Sequence, residues 1–156
     1  MYTPSGQERG VNLFEIALRD YLASRPEITA LISPSRIVPE GFYRDDYYPG
    51  SEGLYLIFSK LGDGNQDFVQ LSRYVLYAID PRRGFYKINE LLDVVRNVIN
   101  DSVAVREFFV FPPDRGLRLH HMQARGTTSS LSLPQWNAEG QGLYVFAHLS
   151  GFNVTD

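Results

Sequence analysis

Residues 68–100 constrain this chain more than any other stretch. Between Phe68 and Ile79, Val69, Leu71, Val75, Tyr77 and Ile79 share one side, with Arg73 as the charged interruption. Gln70, Ser72 and Tyr74 take the other side. A period of two is the mark of a strand with one buried face. The run closes at Asp80-Pro81-Arg82-Arg83-Gly84, where Asp-Pro starts a turn and Gly84 tolerates dihedrals that other residues avoid. From Phe85 to Asn100 the period changes. Ile88, Leu91, Leu92, Val95, Val98 and Ile99 recur on one helical stripe, and Asn89, Asp93, Arg96 and Asn100 face away. The helix is therefore expected to lie across the apolar side of the strand. Burying one such aliphatic side chain is worth ~1.5–3 kcal/mol, so the six supply a large share of a core.

The flanking segments extend this scheme. Asn12 is the expected N-cap of a helix from about Leu13 to Ser24, with Leu13, Ile16, Ala17 and Tyr21 on its apolar stripe and Pro26 beyond its end. Ile28 to Ile32 suits one further helical turn, and Arg36 to Pro39 a short edge strand. Leu54 to Leu61 reads as a strand, with Gly62-Asp63-Gly64-Asn65 as the turn of a hairpin. Asp101 and Ser102 end the second helix or cap a short continuation to about Phe109. Leu117 to Arg125 and Leu143 to Leu149 are the later strands, and Leu131 and Leu133 suit a short one between them. The expectation is an α+β fold: a mainly antiparallel sheet of four to five strands with two main helices packed on one face. Residues 1–11 are expected to form a flexible arm and residues 12–156 a single domain.

Composition narrows the function classes. A chain of 156 residues matches the common size of one domain. There is no cysteine, which removes disulfides, thiolate metal sites and a cysteine nucleophile, and favours an intracellular setting. Met1 to Gly10 is polar and lacks the pattern of a signal peptide. No apolar run approaches the ~20 residues that span a bilayer, so no membrane partner is expected. The net charge of −3 gives the whole molecule no attraction for nucleic acid.

Catalytic and metal-binding patterns were sought among the polar residues. Asp63-x-Asn65-x-Asp67 begins like a calcium loop, but Phe68 stands where glycine is needed and Tyr74 where the bidentate glutamate belongs. A polar hairpin turn is the expected reading. His120 and His121 are neighbours on a strand, so a regular strand points them to opposite faces. Together with His148 they are expected to be ordinary, partly buried histidines. Gly50-Ser51-Glu52-Gly53 lacks the spacing of a nucleophile elbow, and Asp45, Asp46 and Glu52 have no nearby histidine. No catalytic residue, cofactor or metal is expected.

Two segments instead have the composition of contact surfaces. Residues 42–48 bring Phe42, Tyr43, Tyr47 and Tyr48 beside Arg44, Asp45 and Asp46, the residue types that dominate interaction hot spots. The alternative is an aromatic loop folded onto its own core. Residues 126–142 are polar and carry Trp136, the sole tryptophan, as a candidate anchor on a neighbour. Arg82 and Arg83, just before the main helix, suit a turn or an interface better than a nucleic-acid contact.

The order of elements carries a resemblance. An N-terminal helix ends in "LASRPEITALIS", and "RIVPE", "LYLIFSKL", "VQLSRYVLYAID", "FYKINELLDVVRNVIND", "LRLHHMQAR" and "LYVFAHLSGFNV" follow, so the pattern covers roughly Asn12 to Val154. In pattern and order this resembles the tail-terminator, or tail-completion, proteins of long-tailed bacteriophages. The resemblance implies an α+β fold and a ring, usually a hexamer, on the head-proximal end of the tail. Such a ring is assembled in the host cytoplasm, stops polymerisation of the tail tube protein and joins the head-tail connector. It lets DNA pass without specific binding and has no catalytic residue or cofactor. A head-closure or other neck protein is the nearest alternative. A small α+β enzyme with a carboxylate or histidine site, or a binding module that does not oligomerise, are alternatives of other classes.

Overall fold

The computed structural model describes residues 13–38, 54–66, 69–80, 85–110, 118–133 and 138–150. Helices α1 (Leu13–Ser24) and α2 (Pro26–Thr29) and a 3-10 turn at Pro34–Arg36 lead into β1 (Ile37–Val38). Strands β2 (Tyr55–Gln66) and β3 (Val69–Asp80) follow, then helices α3 (Phe85–Ile99) and α4 (Ser102–Phe108). The chain continues with β4 (Arg118–Thr127), β5 (Leu131–Leu133) and β6 (Ala138–Ser150). Strand order across the sheet is β1-β2-β3-β6-β4, with β5 also paired to β6. β1 runs parallel to β2, and every other pairing is antiparallel. The fold is the α+β class expected from the sequence.

β2 and β3 form one continuous ladder from Tyr55↔Ile79 to Gln66↔Val69. The Gly-Asp-Gly-Asn segment does not turn the chain as its composition suggests. The register shifts between Lys60 and Gly62, and Gly62 has φ +149, a conformation that favours glycine. The glycine absorbs a bulge, and Asp63 to Gln66 then pair with Ser72 to Val69. Asp63 and Asn65 are ladder residues, which removes the calcium-loop reading for those two positions.

The helix across the sheet is as expected, but it lies on the other face of β3. Tyr74, Leu76 and Ala78 join the main core with Ile88, Leu91, Leu92, Val95, Val98 and Ile99 of α3 and Phe14, Leu18 and Leu22 of α1. Val75 and Ile79, expected beneath the helix, are buried on the opposite side, where Leu71 and Tyr77 are half-buried and Arg73 is exposed. From Tyr74 to Ile79 both sides of the strand are apolar or aromatic, so alternation alone selects neither. The neighbouring strands decide. Leu56 and Phe58 stand opposite Ala78 and Leu76, Leu143 and Val145 opposite Leu76 and Tyr74, and all are buried. A smaller cluster of Val38, Ile57 and Ile79, flanked by Tyr55 and Tyr77, forms separately from this core.

Tyr21 ties α1 to α3 by donating its hydroxyl to the Val98 carbonyl at 2.7 Å. Burial pushes its pKa up to about 12. Pro26 follows α1 and occupies the first turn of α2, where its missing N–H costs nothing. Asp101 caps α4, its carboxylate accepting from the Ala104 N–H at 3.2 Å.

The short strand expected at Leu131 and Leu133 is present as β5, but β6 begins at Ala138, well before the expected Leu143, in what the sequence suggested was polar loop. β5 pairs with β6 at Leu131↔Gly140, and β3 pairs with β6 out to Asp80↔Glu139. Gly142 permits this close approach, since a Cβ there would overlap Val75 and press on Tyr77 and Thr128.

Candidate assembly interface

The interface residues suggested by the sequence, Phe42, Tyr43, Arg44, Asp45, Asp46, Tyr47, Tyr48, Arg82, Arg83 and Trp136, lie outside the described residues. So does the proposed N-cap Asn12. The described residues contain a different surface, built where α4 meets the outermost strand.

Among the described residues β4 is the last strand of the sheet, paired with β6 along one side. Its register against β6 shifts between Leu119 and His121, so His120 is the extra residue of a bulge. The bulge overturns the expected arrangement of the histidines. His120 and His121 are both exposed, while Leu119 and Met122 on either side are half-buried and buried. His120 Nε2 lies 2.7 Å from the Ser150 hydroxyl, and the His121 ring sits 5.9 Å from the half-buried His148 ring. Among the described residues, no group of three or more histidine or acidic side chains is placed to hold a metal ion.

Between α4 and β4 runs a groove of about 690 Å³. Val105, Phe109, Leu119 and Met122 supply its apolar lining, and Arg106, Arg118, His120 and His121 contribute cationic or titratable groups. Among the described residues, no carboxylate lines it. Val110, which also lines it, is 44% exposed. Phe109 is held by packing against Phe14, Tyr21 and Phe108, with ring centroids 5.2–5.9 Å apart, so the apolar lining continues into the core.

One end of this free strand edge is already satisfied. The Asn100 side chain accepts from the Ala124 N–H at 2.8 Å and donates to the Ala124 carbonyl at 3.1 Å. An amide with both a donor and an acceptor imitates one residue of a partner strand. The groove was not visible in the sequence because its two walls, around Val105–Val110 and Arg118–Gln123, belong to a helix and a strand on either side of the turn signal Pro112-Pro113-Asp114-Arg115-Gly116, and local pattern does not say how such elements pack. The available signal was Arg118, His120, His121 and Arg125 crowded on one strand.

Comparison with known proteins adds one finding. No family model and no curated protein matches the sequence. Among solved structures, a chain from "Virion of native gene transfer agent (GTA) particle" matches with a TM-score of 0.65 at 15% identity, covering 94% of this chain and 100% of that one. The chain shares the fold of that virion component. The match runs over almost the whole length of both chains, so the likeness concerns the complete arrangement of sheet and helices.

Proposed function

We propose that this chain is a structural protein of a phage-like virion, forming a ring, usually a hexamer in the family it resembles, at the head-proximal end of the tail. In that role it ends growth of the tail tube and presents the surface to which the head-tail connector joins. The observation that carries the reading is the end-to-end fold likeness to a chain of a gene transfer agent virion. The order of sequence elements supports it separately, since it resembles that of tail-terminator proteins.

The physics of a ring agrees with the molecule. A closed ring uses a heterologous contact, so each subunit must offer two different surfaces. Among the described residues this sheet ends in two unlike edges, a two-residue parallel strand at β1 and a bulged antiparallel strand at β4. The partners in this reading are further copies of the chain, the tail tube protein and the connector. DNA passes through without specific binding, consistent with a net charge of −3. Phe42, Tyr43, Arg44, Asp45, Asp46, Tyr47, Tyr48, Arg82, Arg83 and Trp136 are proposed to contribute to these contacts.

The test is tube length. The purified chain is added to the polymerising tail tube protein of its own virus, and tubes are measured by electron microscopy with the chain labelled. Shorter tubes, labelled at one end, are expected. Tubes of unchanged length with bare ends refute the terminator role. Binding to the connector without an effect on tube growth would assign the chain to head closure or another part of the neck.

A further inference from the structure

The groove between α4 and β4 has the features of a seat for an extended segment. An unpaired strand edge offers backbone donors and acceptors to an incoming chain. Asn100 occupies those of Ala124, and β4 begins at Arg118, so among the described residues the edge without a strand partner is about residues 118–122. The groove runs along the same stretch. Among the described residues its lining is partly apolar, and Arg106 and Arg118 are its charged groups, so its chemistry calls for a segment that is both aromatic or apolar and acidic.

One segment of this chain answers that description. Residues 39–53 contain Glu40, Asp45, Asp46 and Glu52 against the single Arg44, a net charge of −3, together with Phe42, Tyr43, Tyr47 and Tyr48. The segment connects β1 to β2, at the opposite edge of the sheet from β4. Reaching its own groove means crossing four strand spacings, roughly 19 Å at ~4.8 Å each. Both of its ends are tied, so only about half its length gives reach, at most ~24 Å when fully extended. An intramolecular contact would leave the segment near its limit, whereas a neighbouring copy can present it directly.

We propose that the α4–β4 groove is the seat for residues 39–53 of a second copy of this chain. The contact joins opposite edges of successive copies, so it is heterologous and suits a ring or a head-to-tail series. The bulge at His120 and the Asn100 bonds keep the same edge from pairing with itself, as protected edge strands do. The inference rests on the ring reading for its biological setting but stands on its own chemistry.

The test uses a fluorescent synthetic peptide of residues 39–53 and the full-length protein. Saturable binding is expected, weakened by added salt and by about tenfold or more in Arg106→Glu/Arg118→Glu. A peptide carrying Asp45→Lys/Asp46→Lys should bind that variant better than it binds the wild type. Both arginines lie in exposed or groove-lining positions, and an unchanged circular dichroism melt controls for folding. Absence of saturable binding, or equal affinity for wild type and the Arg106→Glu/Arg118→Glu variant, overturns the proposal. Sedimentation of the full-length proteins separates the two readings. A wild-type ring that persists unchanged in Arg106→Glu/Arg118→Glu overturns this seat and leaves the ring intact. Charge-dependent peptide binding by a chain with no effect on tube growth supports the seat and removes the terminator role.

Discussion

Replacing Leu76 and Leu71 by alanine, one at a time, tests which face of β3 carries the core. The two residues lie on the same strand and lose the same atoms. Leu76 is fully buried among the residues packed with α3, and its cross-strand partners Phe58 and Leu143 are also buried. Leu71 is half-buried on the opposite side, paired with Gly64 and His148. Truncating a buried leucine costs the transfer term and leaves a cavity, in total about 2–5 kcal/mol. The Leu76 site is closed in by strands on both sides and a helix above, so a value of about 3–4 kcal/mol is expected. At Leu71 solvent can fill the space, and about half the transfer term, roughly 1 kcal/mol, is expected. Equilibrium unfolding in urea reads the difference. With a slope of about 2 kcal/mol/M, Leu76→Ala should lower the midpoint by roughly 1.5–2 M and Leu71→Ala by about 0.5 M, with no change of slope. A larger loss for Leu71→Ala than for Leu76→Ala would refute the placement of the helices and restore the face that alternation suggested.

Other substitutions check separate parts of the structure. Asn100→Ala removes both bonds to the Ala124 backbone and should cost about 1–2 kcal/mol in urea unfolding. It should also raise self-association in sedimentation, because the freed edge becomes available. Gly142→Ala places a methyl group against Val75 and should destabilise by about 1–3 kcal/mol, read as a lower thermal midpoint. Tyr21 is held neutral by burial, with its pKa raised to about 12 from an ordinary 10. A raised folded-state pKa means its contribution is fully present below pH 10 and lost as pH climbs towards 12. Stability of the wild type should therefore fall more steeply than that of Tyr21→Phe across that window, measured by urea unfolding at fixed pH values. Parallel curves would contradict the burial of that hydroxyl.

The sequence carried the elements well where one face was unambiguous. All six stripe residues of α3 are buried, because a helix between polar flanks has a single apolar side and no rival solution. It misled where local chemistry met a longer-range competitor. Gly62 to Asn65 has the composition of a turn, yet the ladder with β3 holds it in a strand through one bulged glycine. Residues 138–142 look like loop for the same reason: glycines depress strand propensity, but β3 pairs with 139–142 and β5 with 138–140. The histidines were placed by the rule of alternating faces, which the bulge at His120 suspends.

By itself the sequence determined the α+β class, the order of the elements, the amphipathic face of α3 and the resemblance to a virion protein. These depend on periodicity and succession, which are properties of neighbouring residues. Only the tertiary structure decided which side of β3 meets the helices, since both sides are apolar and the partners come from Phe58 and Leu143, far apart in the chain. It alone created the groove, by setting Val105 and Phe109 of one segment beside Leu119 and Met122 of another at the free edge of the sheet. An edge exists only once strand order is settled, and strand order is a matter of pairing between distant segments.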